Sequence, residues 1–90
     1  MSSDQPLFLN NSNIESTLDA TALRCPLPLL KLRQQIRAMP AGALLLVLAD
    51  DPGAQRDIPA WLRQAGHQLV QFAEQDGVYQ FLIRVEDSAQ

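Results

Sequence analysis

The chain has a single cysteine and a single histidine, and this scarcity first decides what it cannot build. One thiol closes no intramolecular disulfide, and one cysteine with one histidine falls short of the four donors of a structural zinc site. Positive charge is also scarce. Seven Lys and Arg stand against ten Asp and Glu, a formal charge of -3, whereas phosphate contacts need clustered basic side chains, so direct nucleic-acid binding is not the expected task. No apolar run approaches the roughly 20 residues of a membrane span. The longest, Ala43 to Ala49, has the length of a buried strand. The first residues carry no basic segment ahead of an apolar core, so no targeting signal is read. These absences predict a chain of a reducing compartment, the cytoplasm, that needs no metal, no bound cofactor and no membrane.

What remains suits one small domain. Ninety residues bury a modest core and leave little room for a deep pocket, so chemistry is expected at the surface. A composition of 47% hydrophobic and 19% charged residues is that of a chain able to fold. Residues 1–13 are rich in Ser, Asn and Gln, with only Leu7, Phe8 and Leu9 to bury. They are expected to form a flexible extension. Residues 14–86 make the domain, and residues 87–90 a frayed end.

Within the domain the apolar spacing alternates between two periods. Ile14, Ser16, Leu18 and Ala20 share one parity against Glu15, Thr17 and Asp19, which predicts a half-buried strand. Leu29, Leu32, Ile36 and Met39 recur at three, four and three, the stripe of an amphipathic helix. Pro26 and Pro28 mark its start, because a first helical turn leaves its amide hydrogens unpaired anyway, and Pro40 and Gly42 mark its end. Ala43 to Ala49, apolar on both parities, predicts an interior strand that Asp50-Asp51-Pro52-Gly53 stops. Ile58, Trp61, Leu62 and Ala65 predict a second helix within Ala54 to Ala65, regular from Asp57 or Ile58 because of Pro59, with Gly66 as its cap. His67 to Ala73 and Val78 to Val85 predict two strands joined by a hairpin at Asp76-Gly77. Two helices cannot bury their stripes on each other and also cover both faces of a sheet, so the expected fold is α+β, a two-layer sandwich with both helices on one face.

The only thiol lies in Leu23-Arg24-Cys25-Pro26-Leu27-Pro28. Proline disfavours helical backbone in the residue before it, so Cys25 is expected to be the N-cap of the first helix or to lie just outside it. Its sulfur would then face unpaired amides with Arg24 next door, a setting that lowers a thiol's pKa and favours thiolate. Against this, free cysteine is often a small buried hydrophobe. Two prolines and an arginine at a helix start favour the reactive reading.

Elimination narrows the chemistry. A cysteine hydrolase needs a base, and the one histidine, His67, falls at a predicted strand start with no orienting carboxylate, where a solvated strand end is expected. A dithiol oxidoreductase needs a second cysteine. What survives is a thiol that carries a group between partners, with a non-catalytic binding or regulatory module as the alternative. Other acids keep two readings each. Asp19 orients the loop before Cys25 or only forms a turn. Asp50 and Asp51 are paired acids or the end of a strand, and Arg56 and Asp57 flank the thiol or pair on the surface. Trp61 falls on the apolar stripe and is read as core.

Leu18-Asp19-Ala20, Leu23-Arg24-Cys25-Pro26-Leu27-Pro28, Asp50-Asp51-Pro52 and Arg56-Asp57-Ile58-Pro59 together resemble the TusA (SirA-like) sulfur carrier family, over about Ser16 to Val85. The resemblance implies a βαβαββ fold with a mixed four-stranded sheet. It also implies that Cys25 accepts sulfane sulfur as a persulfide, commonly from a cysteine desulfurase, and passes it to an acceptor protein. The covalent sulfur stands in place of a cofactor. Arg24, Pro26, Pro28, Asp19, Arg56 and Asp57 are the supporting positions, and a monomer that docks transiently is expected. Routes served by the family include tRNA thiolation, molybdenum-enzyme maturation and sulfur oxidation. Leu27 stands where tRNA-thiolation members carry glutamate, which removes a charge beside the thiol.

Overall fold

The computed structural model describes residues 14–86. The predicted extension at residues 1–13 and the frayed end at 87–90 lie outside the described residues. Six elements follow in the order β1 (Ile14–Asp19), α1 (Leu27–Arg37), β2 (Leu44–Ala49), α2 (Ala54–Ala65), β3 (Gln68–Gln75) and β4 (Val78–Arg84). The strands form one mixed sheet in spatial order β1-β2-β4-β3, with β1 parallel to β2 and the other two pairings antiparallel. The fold is the expected α+β arrangement.

Strand parity shows which face the helices cover. Leu45, Val47 and Ala49 of β2 and Phe81 and Ile83 of β4 share one core cluster with Leu32 and Ile36 of α1 and Ala54, Ile58 and Leu62 of α2. Alternate residues of a strand point to one face, so both helices pack on the same side of the sheet. β2 and β4 are the interior strands and contribute the most deeply buried side chains, whereas β1, at an edge, keeps the alternating burial its sequence implies. β2 is apolar on its second face as well, and Leu46 there is fully buried opposite Leu82 and Thr17.

Helix boundaries differ instructively from the periodicity. α1 starts two residues before the apolar stripe, because Pro26 serves as N-cap and Pro28 occupies the first turn, where its missing amide hydrogen costs nothing. Ala38 follows the helix, and Met39 closes the turn by donating its N–H to the Ile36 carbonyl at 3.0 Å. α2 is regular from Ala54 rather than from Asp57, with Pro59 inside it. The proline removes the bond to the Gln55 carbonyl four residues back, and Gln55 is exposed, so water can meet that oxygen. Gly66 ends α2 in left-handed backbone at φ 89 with its N–H on the Leu62 carbonyl. The hairpin turns at Asp76 (φ 53) and Gly77 (φ 80), the pair of positive φ values that suits right-twisted strands.

His67 corrects one expectation. It is half-buried instead of solvated, its ring 5.5 Å from that of Trp61 and its Nδ1 accepting the Glu86 N–H at 3.1 Å. Burial lowers its pKa, with Glu86 acting weakly the other way. Trp61 packs against the core from its rim, with the Arg33 guanidinium 5.9 Å above the ring.

Candidate functional site

Because β1 and β2 are parallel neighbours, their carboxyl ends meet at one end of the sheet, and each runs through a short loop into a helix amino terminus. Cys25 lies in the first loop, one residue before the N-cap Pro26, and is exposed. The peptide bond between the two is cis.

Side chains hold that loop in shape. Asp19 Oδ1 accepts the Thr21 N–H at 3.0 Å and the Thr21 hydroxyl at 2.6 Å, a local turn that holds the Asp19 carboxyl below its ordinary pKa. Ala22 sits at φ 69, a left-handed conformation that is costly for a residue with a side chain. Its N–H donates to Asp50 Oδ1 at 2.9 Å, so the second loop pins the first. Pro28 is buried beneath. Asp51 folds back on its own loop and accepts the Gly53 N–H at 3.1 Å.

The thiol's partner comes from α2. Cys25 Sγ donates to Asp57 Oδ2 at 3.1 Å. The other carboxylate oxygen lies 3.6 Å from Nε of Arg56, a side chain that is 84% exposed. This reverses the electrostatic expectation. The thiol is pushed above its ordinary pKa, first because Asp57 accepts its hydrogen, then through desolvation and the negative charges of Asp57 and Asp51, with Arg56 opposing. Arg24 is exposed and its part in the site is through the backbone, its carbonyl accepting the Leu27 N–H at 2.7 Å.

The surroundings are shallow. Cys25, Pro26, Pro28, Leu29, Ala54 and Asp57 line a recess of about 10 Å³, at the lower limit of what holds one water. Gly53 lies close beside Cys25. A methyl group there would meet Asp51 Oδ2 at 2.9 Å and lie 3.7 Å from Sγ, so only glycine lets the second loop approach without displacing the carboxylate. A much larger groove of about 890 Å³ runs by Arg33, Arg37, Met39, Trp61 and His67, without Cys25 in its lining. Among the described residues no group of His, Cys, Asp and Glu could hold a metal, and no helix is long and apolar enough to cross a membrane.

Of the predicted site positions, the fold joins Cys25, Pro26, Pro28 and Asp57 in one place and brings Arg56 in through Asp57. Asp19 stays in its own turn and touches Thr21. Sequence reasoning missed Gly53, Leu29 and Ala54 as neighbours of the thiol. Asp51-Pro52-Gly53 reads as a turn, which predicts a close backbone but not what it approaches.

Residues 16–85 match the family model described as Sulfurtransferase TusA. The chain is 48% identical over 71 residues to the sulfur carrier protein TusA of Pseudomonas fluorescens, covering 79% of this chain and 86% of that one. It is 38% identical over 73 residues to the sulfur carrier protein TusA of Allochromatium vinosum, with 81% and 96% covered. Among solved structures, the SirA-like protein from Desulfitobacterium hafniense superposes with a TM-score of 0.71 at 24% identity, over 80% of this chain and 99% of that one. That likeness concerns the fold.

Proposed function

The chain belongs to the TusA sulfurtransferase family, and from that premise we propose that it is a sulfur carrier whose Cys25 takes up sulfane sulfur as a persulfide and relays it to a cysteine of an acceptor protein. The observation that carries the reading is the setting of this single thiol, exposed at the end of the sheet where two helix amino termini converge, beside a recess too small for a substrate. A transfer between proteins needs no pocket, since the partner brings the sulfur to the surface. The donor is a cysteine desulfurase or another persulfide-bearing protein. The sulfur leaves for an acceptor serving tRNA thiolation, molybdenum-enzyme maturation or related sulfur metabolism. The chain acts as a cytoplasmic relay and not as an independent enzyme, with an uncharged and exposed residue, Leu27, two positions after the thiol.

The transfer balances simply. A donor persulfide anion and the Cys25 thiol become a donor thiol and the Cys25 persulfide anion. One S–S bond breaks, one forms, and the proton moves from carrier to donor. Incubation with a cysteine desulfurase and cysteine should add the mass of one sulfur atom, removable by reductant, and Cys25→Ser should gain nothing. A wild-type chain that takes up no sulfur from any such donor, or a serine variant that does, sinks the reading.

A further inference from the structure

The carboxylate against the thiol is the feature that a simple carrier does not require. A nucleophilic cysteine is usually activated by positive charge, yet here the sulfur hydrogen-bonds to Asp57 at 3.1 Å and Asp51 adds a second negative charge nearby. Asp57 is well placed to hold its position. It lies in the first turn of α2, its N–H is bonded to the Gly53 carbonyl at 2.9 Å, and the next residue, Ile58, is fully buried. A thiolate formed at this place would sit beside a carboxylate with like charge, so the neutral S–H is the form the contact favours.

Loading with sulfur, on the carrier reading above, changes that contact in kind. Sγ exchanges its hydrogen for a second sulfur about 2.05 Å away, and so has nothing left to donate to Oδ2. The recess lined by Pro26, Pro28, Leu29, Ala54 and Asp57 measures about 10 Å³, little room for another heavy atom between two walls. The terminal sulfur must therefore point outward. It is more acidic than the parent thiol and carries its charge one bond further from Asp57, into solvent.

We propose that Asp57 is a positioning residue that discriminates the empty carrier from the loaded one, holding the unloaded Cys25 as a neutral, slowly reacting thiol and losing that hold once the persulfide forms. The empty site is thereby shielded from stray electrophiles, while the loaded site stays reactive toward an acceptor.

Alkylation by iodoacetamide on the full chain tests both halves. Unloaded Asp57→Asn should react several-fold faster than wild type at neutral pH, with its rate-against-pH midpoint moved down. Arg56→Ala, at an exposed position where folding is not at stake, should react more slowly than wild type, because the charge that opposes Asp57 is gone. After loading with inorganic polysulfide, wild type and Asp57→Asn should alkylate at their terminal sulfur at equal rates. Superimposable pH profiles for the unloaded proteins overturn the proposal, as does a several-fold difference that persists unchanged after loading. The unloaded profiles involve no sulfur transfer, so they judge the role of Asp57 separately from the carrier reading. If the chain takes up no sulfur, the carrier reading falls and the loaded half of the proposal falls with it.

Discussion

Four leucines in α1 differ in burial but in little else, and truncating two of them tests the helix's register. Leu32 is fully buried against β2 and α2, whereas Leu30, two residues earlier, is 43% exposed. Leu→Ala at Leu32 removes about three carbon groups at ~0.8 kcal/mol each and leaves a cavity, which brings the expected loss to about 3 kcal/mol within a usual span of ~2 to 5. The same change at Leu30 uncovers roughly half that area and gains some helix propensity from alanine, for a net loss of about 1 kcal/mol or less. In a domain of this size each kcal/mol lowers Tm by ~4 to 8 °C. Leu32→Ala should therefore melt about 12 to 24 °C below wild type, and Leu30→Ala no more than about 8 °C below. Urea denaturation followed by circular dichroism supplies the same comparison at constant temperature, with equal slopes expected. Equal losses at the two positions, or a larger one at Leu30, would refute the packing of α1 on this sheet face.

Two further outcomes concern strain and pH. Ala22→Gly relieves a φ of 69 that costs an ordinary residue about 1 to 2 kcal/mol, less the ~0.5 to 1 that glycine loses in entropy; the urea midpoint should rise slightly, and a fall would argue that the Ala22 side chain contributes contacts. For His67 the folded pKa lies below the ordinary 6.5, so the unfolded chain takes up the proton first. The stability due to the neutral ring is complete above about pH 6.5 and is lost as pH falls below it toward the folded value. Wild type should lose stability between about pH 7.5 and 5.5 where His67→Asn loses less, and parallel losses in the two proteins would count against the half-buried neutral histidine.

Local rules accounted for most of the backbone. The spacing of Leu32 and Ile36, the prolines at 26 and 28, the glycine after α2 and the Asp76-Gly77 pair each carry a short-range physical cause, and each element formed where that cause placed it. Boundaries shifted where a neighbour across space mattered. Pro59 reads as an early interruption of α2, yet the helix begins at Ala54 because the turn at Asp51 to Gly53 already supplies the first bonds and the orphaned carbonyl belongs to an exposed residue, Gln55. His67 reads as a strand end in water, and only the packing of α2 puts Trp61 beside it.

The thiol divides along the same line. That Cys25 is the chain's one thiol, that it stands at a helix start, and that no second cysteine exists to pair with it are matters of counting and of proline geometry, which act within a few residues. The charge it experiences is set across 32 positions of chain, by the parallel pairing of β1 and β2 that brings the start of α2 against the start of α1. From sequence the nearest charge is Arg24, one peptide away and expected to favour thiolate. In the fold the nearest charge is Asp57, at 3.1 Å, and its sign is opposite. Electrostatic energy follows distance through space rather than along the chain, so the place of the one thiol at a helix start was readable in sequence while the direction of its tuning was decided by tertiary structure alone.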